Sequence, residues 1–123
     1  MPPKQIGTFS EDIINALGLN IPINTPIYLG ETNISHMKNK HPNDFLKYGE
    51  DIGRIIGSPD YIGVNQKDDS VEFVKEYFVA GDFVKVAVRV SAKNNYYARS
   101  LYILNPNRVK NFIAKGTLVK LDK

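Results

Sequence analysis

Two histidines, His36 and His41, are the only imidazoles in the chain. They lie five residues apart, with Lys38 and Lys40 between them and Pro42 directly after. Histidine titrates near neutrality and lysine stabilises developing negative charge, so this grouping suits a general base and general acid acting on a phosphodiester. On one unbroken helix, positions five apart would point about 140° away from each other. Pro42 removes that obstacle, because the residue before a proline leaves the right-handed helical region. The competing reading is a solvated polar turn.

A second grouping is Asn94–Tyr102, in which Tyr96, Tyr97, Arg99, Ser100 and Tyr102 crowd one predicted strand. Arginine offers a planar fork for phosphate oxygens, serine a short hydroxyl, and tyrosine a ring on which an exposed base can stack. Strict period-two alternation places Arg99 with Tyr97 on one face and Ser100 with Tyr96 and Tyr102 on the other. Both faces can serve one site only if a bulge or strong twist intervenes, so one of Arg99 and Ser100 is expected to be structural. The alternative for the whole segment is a packing strand with tyrosine hydroxyls at its rim.

Other chemistries find less support. The histidine spacing does not match a helical zinc pair, and there is no cysteine to ligate a metal or act as a nucleophile. The glycines stand singly, without a phosphate-cradling loop, and no serine sits on a nucleophile elbow.

Charge separates the two parts of the chain. Residues 1–84 carry 7 Lys/Arg against 12 Asp/Glu, whereas residues 85–123 carry 9 Lys/Arg against Asp122 alone. A basic half favours an anionic partner, and Lys85 and Arg89 with Lys93 and Arg99 are expected to form a positive track. The remaining alternative is a solvated basic surface. No apolar run reaches the length of a membrane span and the N-terminus lacks a signal-peptide pattern, so a cytoplasmic protein is expected.

The elements that must position these groups are legible in outline. The 123 residues suit one domain, with residues 1–5 expected to be mobile. A helix capped at Thr8 or Ser10 stops at Gly18, a short strand follows at Pro26–Gly30, and Glu31–Lys40 offers a second helix. Pro42 opens a third, in which Phe45, Tyr48, Ile52, Ile55 and Ile56 share a face as far as Gly57. From Val71 the period changes to two, predicting three strands in an antiparallel meander. A helix from Asn105 to Gly116 and an edge strand near Val119 complete the chain. Helices first and strands second predict an α+β fold, with short N-terminal helices packed on one face of a twisted antiparallel sheet and the other face open to a ligand.

Four ordered segments form a recognisable set: ISHMKNKHP, the amphipathic helix ending in IIGSPDYIG, the alternating VKVAVRV, and YYARSLYIL with the N-x-x-R-V helix after it. Together they resemble the phage- and conjugative-element-associated members of the barnase, EndoU, colicin and RelE-like nuclease superfamily, over about residues 26–116. The resemblance implies an α+β RNase fold with roughly four antiparallel strands. It also implies metal-independent attack of an RNA 2′-hydroxyl on the adjacent phosphate, with no cofactor and a cyclic phosphate product. Carried onto this chain, His41 with His36 supplies proton transfer, Arg99 and Ser100 hold the phosphate, and Tyr102 orients a base. Tyr97, Lys38, Lys40, Lys85 and Arg89 would contact substrate, Lys85 being the nearest match to a lysine of the sheet. The implied partner is RNA, such as a tRNA, together with an acidic inhibitor protein; no membrane is involved. The alternatives are a non-catalytic nucleic-acid-binding module or a protein-interaction module of a mobile element.

Overall fold

The computed structural model describes residues 2–121. Its elements run β1 (Lys4–Thr8), α1 (Glu11–Leu17), β2 (Pro26–Leu29), α2 (Glu31–Lys40), α3 (Pro42–Tyr48), a 3-10 turn (Gly49–Asp51), α4 (Ile52–Gly57), β3 (Tyr61–Val64), β4 (Val71–Tyr77), β5 (Asp82–Val90), β6 (Tyr96–Leu104), α5 (Pro106–Lys115) and β7 (Val119–Lys120). The fold is α+β, and the strands form one sheet in the order β1-β2-β6-β5-β4-β3-β7. Among the described residues, no helix is long and apolar enough to cross a membrane.

Local chemistry explains most boundaries. The Ser10 hydroxyl accepts a hydrogen bond from the Ile13 amide at the start of α1, and Gly18 ends that helix with φ at +64°, a conformation that glycine adopts without strain. Asn105 caps α5, Pro106 occupies its first turn, and Gly116 closes it at φ +77°.

Valine alternation on β5 builds the main core. Val84, Val86 and Val88 are fully buried against Phe9, Ile13, Ile52, Ile55 and Ile56, so α1 and α4 cover this face of the sheet. The opposite face is covered only in part. At one end Val74, Leu104 and Leu118 pack with Val109 and Phe112 of α5 in a smaller cluster. Beyond that cluster the same face carries Lys85 and Ala87, cross-strand partners of Tyr102 and Ser100, which lie at the floor of cavities that open this side of the sheet.

Several expectations are corrected. Lys4 and Gln5, in the segment expected to be mobile, pair with Leu29 and Tyr28 as an edge strand. The sheet has seven strands rather than about four, and it is not wholly antiparallel, because β2 joins β6 in parallel at Ile27–Tyr96 and Tyr28–Tyr97. The helix expected from Pro42 to Gly57 is interrupted at Gly49, where a Cβ would stand 2.9 Å from the Phe45 ring. The apolar stripe survives that interruption, since Phe45, Tyr48, Ile52, Ile55 and Ile56 all reach the main core.

Candidate active site

The open face owes its shape to a bulge in β6. Ala87 pairs with Ser100 and Val88 pairs with Ala98, which leaves Arg99 as an extra residue without a partner on β5. Strict alternation would send Arg99 and Ser100 to opposite faces. The bulge instead lets both line one cavity of about 420 Å³, so neither has to be sacrificed to packing. Downstream of the bulge Leu101 is buried in the core while Tyr102 stands opposite Lys85 on the open side; upstream, Ala98 is buried and Tyr97 faces Arg89. Tyr96 packs edge-on against Phe9, ring centroids 5.0 Å apart, so it belongs to the core rather than to the face of Ser100 and Tyr102.

Helices α2 and α3 wall the cleft along β6. His41 sits between them with φ −139° and ψ 69°, outside the helical region, as Pro42 requires. The Asp44 carboxylate, in the first turn of α3, accepts the Ile103 amide at 3.0 Å and ties the hinge to the strand. This anchoring brings His41 onto Tyr102, the imidazole stacking on the phenol ring at a centroid distance of 4.9 Å and an interplanar angle of 29°. His36, nearer the start of α2, lines the neighbouring cavity with Arg99, Ser100 and Arg89. Met37 between the two histidines turns inward and is 1% exposed. The opening segment of the sequence thus splits its side chains between core and cleft.

Lys85 is the electrostatic centre of the cleft. Its ammonium lies 4.6 Å from the Tyr102 ring centroid and donates to Glu72 Oε2 at 2.8 Å. Burial alone would lower its pKa, but hydrogen bonds to Glu72 and Tyr102 and the charge of Glu72 offset that and leave it raised. Lys85 therefore acts as a fixed cation rather than a proton acceptor at neutral pH. Asp68 contributes a carboxylate to the first cavity, where its Oδ1 accepts both the Ser70 hydroxyl at 2.5 Å and the Ser70 amide at 3.0 Å. Those two bonds, with the charges of Arg89 and Lys85, hold its pKa below the usual carboxylate value.

The structure brings together His36, Arg89, Arg99 and Ser100 in one cavity, and His41, Tyr102 and Lys85 in the adjoining contact. Tyr97 lies at the edge of the same face, where it lines a further cavity with Arg99 and meets the Tyr28 ring at a 44° tilt. Lys38 and Lys40 do not line the cavity of Arg99 and Ser100, and Lys38 lies over the Phe45 ring instead. Glu72, Asp68 and Ser70 are members of the cleft that sequence reasoning missed. The available signal was the period of β4, since Glu72 alternates with buried Val71 and Phe73 and so must share a face with Lys85.

A protein-family model described as phage-Barnase-EndoU-ColicinE5/D-RelE like nuclease 3 matches residues 4–111. No curated protein and no solved structure matches the chain.

Proposed function

The chain belongs to this phage-associated Barnase-EndoU-ColicinE5/D-RelE-like nuclease family, and from that premise we propose that it is a metal-independent endoribonuclease working in the cleft beside β6. The observation that carries the reading is Tyr102, whose ring bears the His41 imidazole and the Lys85 ammonium together, next to the cavity of Arg99 and Ser100.

The reaction follows from these groups. A base removes the proton of the RNA 2′-hydroxyl, O2′ attacks the adjacent phosphorus, the P–O5′ bond breaks, and an acid protonates the departing O5′. The products are a 2′,3′-cyclic phosphate and a 5′-hydroxyl. His41 and His36 take the base and acid roles, since imidazole can do either near neutrality. Arg99 and Lys85 stabilise the charge that builds on the equatorial phosphate oxygens, the task a metal ion would otherwise serve. Ser100 donates a hydrogen bond to one of those oxygens. Tyr102 holds the imidazole at a set angle and offers its remaining edge to a base.

Purified protein incubated with total RNA in EDTA tests this. Fragments ending in cyclic phosphate are expected, and an oligonucleotide carrying a single 2′-deoxy nucleotide at the cleaved position should resist. RNA bound but left intact would mark a binding module instead.

A further inference from the structure

The cleft does not stop at Lys85 and Tyr102. Both residues also line a second cavity, of about 330 Å³, that runs on towards α5 and the turn between β3 and β4. Its far wall is Phe112, with the Arg108 guanidinium 5.6 Å from the ring centroid. Gln66 and Lys67 stand exposed at its mouth. Asn65 beside them is committed to the fold, its Oδ1 accepting the Lys67 amide at 2.8 Å and its Nδ2 donating to Glu72 at 3.4 Å. The turn that carries Gln66 is thereby fixed to the same carboxylate that holds Lys85.

We propose that this second cavity is a base-recognition subsite, taking the nucleobase of one nucleotide that flanks the scissile phosphate. The proposal rests on the reading of the cleft as an RNA-cleaving site. Aromatic and guanidinium planes are the two protein surfaces on which an unpaired base stacks, and the cavity presents both. The Gln66 carboxamide places a donor beside an acceptor, the pattern that pairs with the edge of a base, and Lys67 adds a further donor. Because Lys85 and Tyr102 are shared with the phosphate site, the base held here belongs to a nucleotide adjoining the cut. A paired base cannot reach this wall without leaving its stack, so the substrate is single-stranded RNA or a loop.

A set of tetraribonucleotides varied at the two positions flanking one phosphate tests the subsite with the 123-residue chain. Wild type should prefer one base on one side of the cut, and Arg108→Ala and Gln66→Ala should flatten that preference while raising KM about tenfold, in line with the loss of one stacked base. Indifference of the wild type to both flanking bases, or variants that keep the full preference, would overturn the proposal. The second measurement needs no turnover: amide NMR shifts on adding each nucleoside 2′-monophosphate, with ribose 5-phosphate as the base-free control. Shifts at Gln66, Lys67 and Arg108 that require the base support the subsite even if no RNA is cut, in which case only the nuclease reading falls. Shifts that ribose 5-phosphate reproduces, or none at these residues, overturn the subsite.

Discussion

The imidazole of His41 lies stacked on the ring of Tyr102, although 61 positions separate the two residues in the chain. Pro42 frees the histidine from α2, and the Asp44 bond to the Ile103 amide pins the freed segment to β6 one residue beyond Tyr102. An imidazole has thus been placed by a strand contact rather than by its own helix.

If His41 moves a proton in the rate-limiting step, His41→Ala should slow cleavage by about 10²- to 10⁴-fold. Tyr102→Phe keeps the stack and should lose far less than Tyr102→Ala. The fold should persist in His41→Ala and Tyr102→Phe, because the apolar residues of α3 and α4 are untouched, whereas Tyr102→Ala also removes a ring packed on the α5 cluster and should lose some stability; circular dichroism alongside single-turnover cleavage checks both points. Full activity of His41→Ala would move the proton transfer to His36.

Lys85 and Glu72 form an ion pair whose side chains are 10% and 13% exposed. Lys85→Met would leave the Glu72 carboxylate without its cation and should cost about 3 kcal/mol, whereas combining it with Glu72→Gln should recover part of that loss. Activity should not return with stability, since neither variant restores a cation beside Tyr102. Urea denaturation and cleavage assays on the single and double variants separate the two effects.

The basic face should appear in the salt dependence of RNA binding. Removing a cation that touches one phosphate reduces the slope of log K against log [salt] by about 0.7 for a single strand. Arg89→Ala and Arg99→Ala are expected to show such a decrease when binding is followed by fluorescence anisotropy from low to moderate salt. Arg99→Lys should keep the slope yet cleave slowly, because lysine retains the charge without the two-pronged grip on phosphate. An unchanged slope in Arg99→Ala would remove that arginine from the RNA path.

Alkaline pH should weaken the fold through Tyr77. Burial, and then its hydrogen bond to the Asp51 carboxylate at 2.8 Å, raise its pKa well above the ordinary value of 10.0. The folded chain keeps this proton at a pH where the unfolded chain releases it, so the contribution is complete below pH 10 and declines as pH rises above it. Lys85, also raised, adds a decline of the same sign. In thermal melts between pH 9 and about 12, Tyr77→Phe should therefore show a shallower fall than the wild type, though not a flat line.

The outline of the fold was legible wherever the signal is local. Ser10, Gly18, Pro42, Asn105 and Gly116 mark helix ends through their own backbone chemistry, and the valines of β5 announce a buried face. What could not be read depends on distant partners. β1 and β3 are four or five residues long, too short for alternation to stand out, and they become strands by pairing with β2, β4 and β7. The break at Gly49 is hidden because the apolar spacing continues across it. Within the site, the residue types of β6 pointed to phosphate chemistry, yet the bulge that reconciles Arg99 with Ser100 leaves no glycine or proline in the sequence to betray it. Glu72 escaped notice since a carboxylate in an alternating strand ordinarily faces water.

The bond between Asp44 and the Ile103 amide also bears on how copies of this chain meet one another. β2 pairs with β6 only at Tyr96 and Tyr97, so the rest of that strand would otherwise expose a row of unmatched peptide groups. Such a row is a template for another chain to add a strand, the first step towards fibrous assembly. With α2 and α3 packed along it and a carboxylate holding one of its amides, that flank is covered from within. The contact that delivers a histidine to the cleft thus also keeps this flank of the sheet from recruiting its own kind.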